Sequence, residues 1–255
     1  MKYKAVYADV DGTLIPPSAN PSTKASSRLQ HVVSLAKQRG VAFGLSTARS
    51  LDWVSGLVES LSVDDPIILD NGARIYEGKT GKYLVNNFLS NEVLQFVLDH
   101  LRHFNQEIVI VDTKNRFIYD PTKRYTFGNV IKCIVLHINP TLAQTIYESV
   151  KKLGTVAVTK SVSRANPIGE SIHITHPDAR KDKALTFICD YLGISPSEVI
   201  GIGDSYNDYE FLKVCGMKVA VQNAIDDIKK IADYVAPSYN DEGVADVIEK
   251  FILSV

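Results

Sequence analysis

Residues 2–14 read KYKAVYADVDGTL, and the fold turns on how this stretch is read. Residues 3–10 are apolar and partly β-branched, the make-up of a buried strand. That strand runs directly into the turn Asp11-Gly12-Thr13. Asp9 and Asp11 therefore stand at the carboxyl end of a buried strand, which is where open α/β sheets bind their ligands. Two carboxylates so close repel one another unless something offsets them, and hard divalent cations take oxygen ligands. One carboxylate could then attack phosphorus while the other handles protons. An acidic turn with no chemistry in it would carry the same letters, so the rest of the chain has to decide.

Working outward, Pro16, Pro17 and Pro21 mark a loop. Leu29, Val32, Val33 and Ala36 then fall at helical spacing, with Gly40 as the stop. Residues 41–46 read as a second strand, Val54, Leu57, Val58 and Leu61 as a second helix, and Ile67-Ile68-Leu69 as a third strand ending at Asp70-Asn71-Gly72. Strands alternating with helices predict a parallel sheet with right-handed crossovers. Past about residue 75 the pattern changes to short strand-like runs at 75–76, 83–85, 108–111 and 117–119. A long run at 130–138 follows, with others at 156–158 and 172–174. Two helical patterns interrupt them, one through Leu94, Val97, Leu98 and Leu101, the other through Leu142, Ile146 and Leu153. From Lys181 the first rhythm returns: a helix through Ala184, Leu185, Ile188 and Leu192, strands at 199–203 and 219–221, and a final helix through Val244, Val247, Ile248 and Phe251. The expected class is α/β: a doubly wound, Rossmann-like parallel-sheet core of residues 1–82 and 181–255, with an α+β domain inserted at 83–180.

Composition narrows the function. The 255 residues are 45% hydrophobic and 22% charged, ordinary for a globular protein. With 28 basic and 29 acidic residues the net charge is −1, which gives no reason to expect a nucleic-acid surface. Cys133, Cys189 and Cys215 are too far apart for a close-spaced metal pattern, and an odd count fits the reduced thiols of a cytoplasmic protein. Asp9 and Asp11 fall too early for the apolar stretch of a signal peptide, and no window is apolar for long enough to span a membrane. His100 and His103 lie three apart on a helix without a third ligand and read as a solvated face.

Three further segments carry candidate chemistry. Gly201-Ile202-Gly203-Asp204-Ser205-Tyr206-Asn207-Asp208 follows an apolar strand, and a helical turn would put Asp204 and Asp208 on one face as metal ligand and support. Helix capping by Ser205 or Asn207 is the plainer reading. Ser46-Thr47-Ala48-Arg49 follows the second strand, where a hydroxyl and backbone N–H groups at a helix start can hold phosphate oxygens. Arg180-Lys181-Asp182-Lys183 stands where the core resumes, and a fixed cation there could neutralise a nucleophile and a transferring phosphoryl group.

Taken together, these four elements resemble the haloacid dehalogenase superfamily, in particular its Cof-like branch, whose large α/β cap is inserted after the third core strand. The resemblance spans nearly the whole chain and is weakest across the cap. It is carried by DVDGTL, GIGDSYND and the downstream VAVQNAIDDIKKIADYV and NDEGVADVI, in family order. It implies that Asp9 is the nucleophile and a Mg²⁺ ligand. Asp11 would be general acid to the leaving alkoxide and then base toward water, with its backbone carbonyl on the metal. Thr47 and Lys181 would bind the phosphoryl group. Asp204 would bind Mg²⁺, with Asp208 as ligand or support, and Asn207, Asn71 and Asn223 would line the site, beside Ser46 and Arg49. Two departures stand out: Ala48 where the family commonly has glycine, and Lys181-Asp182 where it usually has Lys-Gly, with Lys183 close by.

An acid at position 11 sets the chain apart from the dehalogenases and from the ion-pumping ATPases of that superfamily. It favours a phosphatase acting on a small phosphorylated metabolite, with sugar phosphates first and phosphoglycolate among the others. A phosphomutase, or a non-catalytic phosphosugar-binding protein, is the alternative. Arg164 and Asn166 in the polar stretch 161–169 are the candidates for leaving-group contacts, ahead of Lys160 and Arg124. The expected state is a monomer or homodimer with no nucleic-acid or membrane partner.

Overall fold

A computed structural model describes residues 2–162 and 169–254 of the chain. β1 (Ala5–Ala8) is buried at every residue, as a strand covered on both faces should be. α1 (Ser27–Gln38) begins at Ser26, whose side chain accepts the Leu29 N–H, and it buries Leu29, Val32, Val33 and Ala36. β2 (Ala42–Leu45), the short α2 (Ser55–Ser60) and β3 (Pro66–Leu69) follow. After β3 the chain doubles back through Asp70-Asn71-Gly72 into antiparallel β4 (Arg74–Glu77), and β5 (Lys82–Asn86) completes a three-stranded sheet.

Next come α3 (Asn91–Leu101), β6 (Ile108–Asp112), β7 (Arg116–Ile118), β8 (Val130–Ile138), α4 (Pro140–Lys151), β9 (Ala157–Val162) and β10 (Glu170–Thr175). These five strands pair antiparallel in the order β7-β6-β8-β10-β9. Ile108, Ile110, Cys133, Val135, Ile172 and Ile174 form a core of their own with Leu94, Val97, Leu98 and Ile146 of the two helices.

The chain then returns to the first rhythm with α5 (Lys181–Leu192), β11 (Val199–Gly203), α6 (Tyr209–Val214), β12 (Met217–Val221), α7 (Asp226–Ile231), β13 (Tyr234–Ala236) and α8 (Gly243–Ile248). Five strands form one parallel sheet in the order β13-β12-β11-β1-β2. This is the expected α/β class. The chain divides into two compact units, Met1–Val85 with Lys181–Val255, and Asn86–Arg180. Among the described residues no helix is long and apolar enough to cross a membrane.

What places the site is the register of the central strands. β1 lies between β11 and β2, with Ala8 opposite Ile202 on one side and Leu45 on the other. The segments that follow all three strands therefore emerge side by side. Tyr7 is fully buried, pairs in register with Gly201 and Gly44, and its hydroxyl donates to the Pro66 carbonyl at 2.9 Å. A Cβ on Gly44 would run into the Tyr7 ring. Gly44→Ala should therefore destabilise the core by about 1–3 kcal/mol, the usual cost of overpacking. Urea denaturation measures it, and an unchanged midpoint would contradict this account of the strand packing.

Candidate active site

Asp9 is the first residue past β1, and its N–H donates to the Ile202 carbonyl of β11 at 2.9 Å. It is 4% exposed. The loop after β11 brings Asp204 and Asp208 to the same place, and the three residues offer carboxylate oxygens that all lie within 4.8 Å of one another. Lys181, at the start of α5, sets its ammonium between two of them: Nζ donates to Asp9 Oδ1 and to Asp208 Oδ1, each at 2.7 Å. Lys183 is exposed. The other oxygen of Asp208 accepts the N–H groups of Asp204 at 3.1 Å and Ser205 at 3.2 Å.

Two glycines make room for this convergence. Gly12 has φ +79°, and a Cβ there would come within 2.5 Å of Asp204 Oδ2. A Cβ on Gly203 would come within 2.6 Å of the Asp208 carboxyl carbon. The turn after β1 is tied down by Thr13, whose hydroxyl donates to Asp204 Oδ1 at 3.0 Å, and by Asn223, whose amide donates to the Gly12 carbonyl at 2.7 Å.

The remaining candidates fall around this centre in different ways. Ser46 and Thr47 are fully buried just past β2. The Ser46 hydroxyl has no hydrogen-bond partner among the described residues, while Thr47 Oγ1 accepts the Arg49 N–H at 3.1 Å. Asn207 donates its side-chain amide to Asn71 Oδ1 at 3.1 Å, so it links two loops. Ala48 is not among the residues with positive φ, so the backbone there makes no demand for glycine. Asp11 stands apart from the carboxylate cluster. Its oxygens take Arg49 Nε at 2.9 Å and Nη2 at 2.6 Å. The Arg49 guanidinium also donates to the Trp53 and Ala19 carbonyls, at 2.9 and 3.1 Å. Arg164 and Asn166 lie outside the described residues.

The haloacid dehalogenase-like hydrolase family matches residues 6–248. The chain belongs to this family. A phosphoglycolate phosphatase of Staphylothermus marinus is 30% identical over 96% of this chain and 95% of its own length. One from Methanopyrus kandleri is 25% identical over 98% and 97%. Among solved structures, a haloacid dehalogenase-like hydrolase from B. subtilis superposes with a TM-score of 0.81 at 18% identity, covering 98% of this chain and all of that one. A subclass IIB sugar phosphatase superposes with a TM-score of 0.77 at 19% identity, covering 97% and 98%. The chain is a phosphatase of the haloacid dehalogenase superfamily.

The electrostatics of this hydrolase centre on the buried acids. Burial is the largest influence on Asp9 and pushes its carboxyl up to about 7; Lys181 pulls the other way, while Asp208 and Asp11 push with burial. Burial first, then Asp9 and Asp208, holds the Asp204 carboxyl well above the ordinary range. For Lys181 burial works against the charge, but Asp208 and Asp9 outweigh it and leave the ammonium more basic than usual. One ammonium among three carboxylates leaves a surplus of negative charge. The donors are all oxygens, the set that a hard divalent cation takes.

Thr13 and Arg49 show what sequence reasoning misses. Thr13 sits in the quoted motif, yet nothing in a one-dimensional reading says that its hydroxyl reaches Asp204. Arg49 is legible as a basic residue near a phosphate loop, but the partner of its fork is set by the fold.

Asp9 holds a proton more readily folded than unfolded. Its contribution to stability is therefore complete below about pH 4, the unfolded value, and lost as pH rises through about 7. Thermal melts of metal-free protein should show the melting temperature falling between about pH 4 and pH 7, and millimolar Mg²⁺ raising it most at the upper end. A flat profile, unmoved by Mg²⁺, would contradict a buried cluster short of positive charge.

Proposed function

We propose that the chain is a Mg²⁺-dependent phosphatase that passes the phosphoryl group of a small metabolite ester through an aspartyl-phosphate on Asp9. The observation that carries this reading is the Lys181 ammonium bridging Asp9 and Asp208 beside Asp204. A nucleophilic carboxylate, a fixed cation and a set of oxygen donors meet at one strand end. Asp9, Asp204 and Asp208 would hold Mg²⁺ with the Asp11 carbonyl, and the ion would neutralise charge on the transferring phosphoryl group.

Asp9 attacks phosphorus, and the ester oxygen departs with a proton from Asp11, which acts as general acid. Water then attacks the aspartyl-phosphate, Asp11 accepts its proton, and phosphate leaves with Asp9 restored. Thr47, Ser46 and Lys181 hold phosphoryl oxygens, and the buried Ser46 hydroxyl is available for that contact. Asn207 and Asn71, joined by a hydrogen bond, would support this arrangement. Arg49 acts on Asp11, which its guanidinium already grips. The inserted unit acts as the cap that selects the leaving group, with Arg164 as its candidate contact. The named activity of the relatives supports phosphoglycolate as a substrate to test beside the sugar phosphates.

The test is release of phosphate from p-nitrophenyl phosphate with Mg²⁺, followed by a panel of metabolite phosphates that includes phosphoglycolate and several hexose phosphates. Chelation should abolish turnover. Asp9→Asn should abolish it too, and borohydride trapping should mark residue 9 in the wild-type enzyme only. Asp11→Asn should lower kcat by about 10²–10⁴-fold. Full activity of Asp9→Asn would refute the mechanism, and conversion of a hexose phosphate to its isomer without release would make the enzyme a mutase.

A further inference from the structure

The turn after β3 holds backbone that its residues would not adopt unaided. Asp70 and Asn71 have φ of 52° and 59°, and Gly72 follows at 95°. Left-handed backbone suits glycine, and Asn and Asp tolerate it best among the rest. Two such residues in succession persist only where the surroundings impose it, and strain of this kind gathers at functional sites. Here the surroundings are the site itself. The Asp70 N–H donates to the Arg49 carbonyl and the Asn71 N–H to the Thr47 carbonyl, each at 2.9 Å. The Asn71 side chain accepts Asn207 at 3.1 Å. One turn thus clasps the loop after β2 and the loop after β11.

Beneath it lies an ion pair. Asp70 Oδ2 takes Arg74 Nε at 2.8 Å and Nη2 at 2.7 Å, with side chains 0% and 9% exposed. Arg74 Nη1 donates to the Tyr83 hydroxyl at 3.2 Å, and the guanidinium lies 4.9 Å from the Tyr83 ring centre. A buried pair adds little net stability, because desolvation offsets its attraction. Its short contacts, both converging on Asp70 Oδ2, fix geometry instead.

We infer that the Asp70–Arg74 pair, backed by Tyr83, is a positioning element for the metal-binding loop. It sets the turn, the turn sets Asn71, and Asn71 sets Asn207 between Asp204 and Asp208. This rests on the reading of Asp9, Asp204 and Asp208 as the metal centre. The pair touches neither ion nor substrate. It acts as the outer support that metal sites depend on for the orientation of their ligands.

The test uses the full chain with Mg²⁺ as probe. Asp70→Asn with Arg74→Met removes both charges and leaves Asn, which tolerates the left-handed backbone, at position 70. Calorimetry should show Mg²⁺ binding weakened about 10-fold, and kcat on p-nitrophenyl phosphate at saturating Mg²⁺ should fall by a similar factor. The metal-free melting temperature should stay near that of wild type. Asn71→Gly alone should reproduce the loss and add nothing further on top of the double variant, since both break one chain of contacts. Wild-type Mg²⁺ affinity and kcat in the double variant would overturn the inference. If the double variant does not fold, Tyr83→Phe decides: a few-fold loss of Mg²⁺ affinity supports the inference, and unchanged binding overturns it. A wild-type enzyme that binds no Mg²⁺ refutes the metal centre itself, whereas intact binding in the variants refutes only the positioning role.

Discussion

Three carboxylates held together, Asp9 and Asp208 buried and Asp204 half-buried, are the constraint to which the rest of the core answers. Such a cluster opposes folding, because like charges repel and burial strips each of its hydration. It survives here because one ammonium, 172 residues away in sequence from Asp9, is delivered between two of the acids. That delivery depends on the parallel sheet, which sets the ends of β1 and β11 side by side, and on α5, which begins at Lys181. Gly12 and Gly203 follow from the same constraint, since the space a side chain would take there is filled by carboxylate oxygens or carbon. The buried apolar core around β1 offsets the unfavourable term.

The parallel core is legible in the sequence for a physical reason. Strands covered on both faces must be apolar without interruption, so Ala5–Ala8 and Val199–Gly203 announce themselves as runs. The acids at the ends of such runs are legible too, because few structural needs put Asp9 and Asp204 directly after buried strands. Other elements leave weaker traces. β13 is three residues long with Val235 40% exposed, and α6 and α7 have six residues each, too short for a helical period to register. β3 reads as one more strand of an alternating series, and it does meet the end of β2 in a parallel bridge between Ser46 and Ile68, but along its length it pairs antiparallel with β4. The reversal comes from left-handed Asp70, Asn71 and Gly72, and only Gly72 signals that backbone in its identity. Asp70 and Arg74 look like an ordinary surface pair four residues apart. Their burial is a property of the fold.

Asp11 illustrates why a site needs contacts that keep some groups away from its centre. Four carboxylates on one cation would leave none to move protons, since a carboxylate bound to a metal is a poorer base. Arg49 gives Asp11 a partner of its own, and the bidentate fork holds both oxygens at 2.6 and 2.9 Å. The same guanidinium donates to the Ala19 and Trp53 carbonyls, so the position of Asp11 is referred to the loop after β1 and the turn before α2 together. A lysine could not do this, because a point charge on a flexible stem cannot serve a carboxylate fork and two carbonyls at once. The two acids of DVD, two residues apart, thereby take different cationic partners, Asp9 the Lys181 ammonium and Asp11 the Arg49 guanidinium, and under the proposed mechanism that division would let one short motif do two jobs.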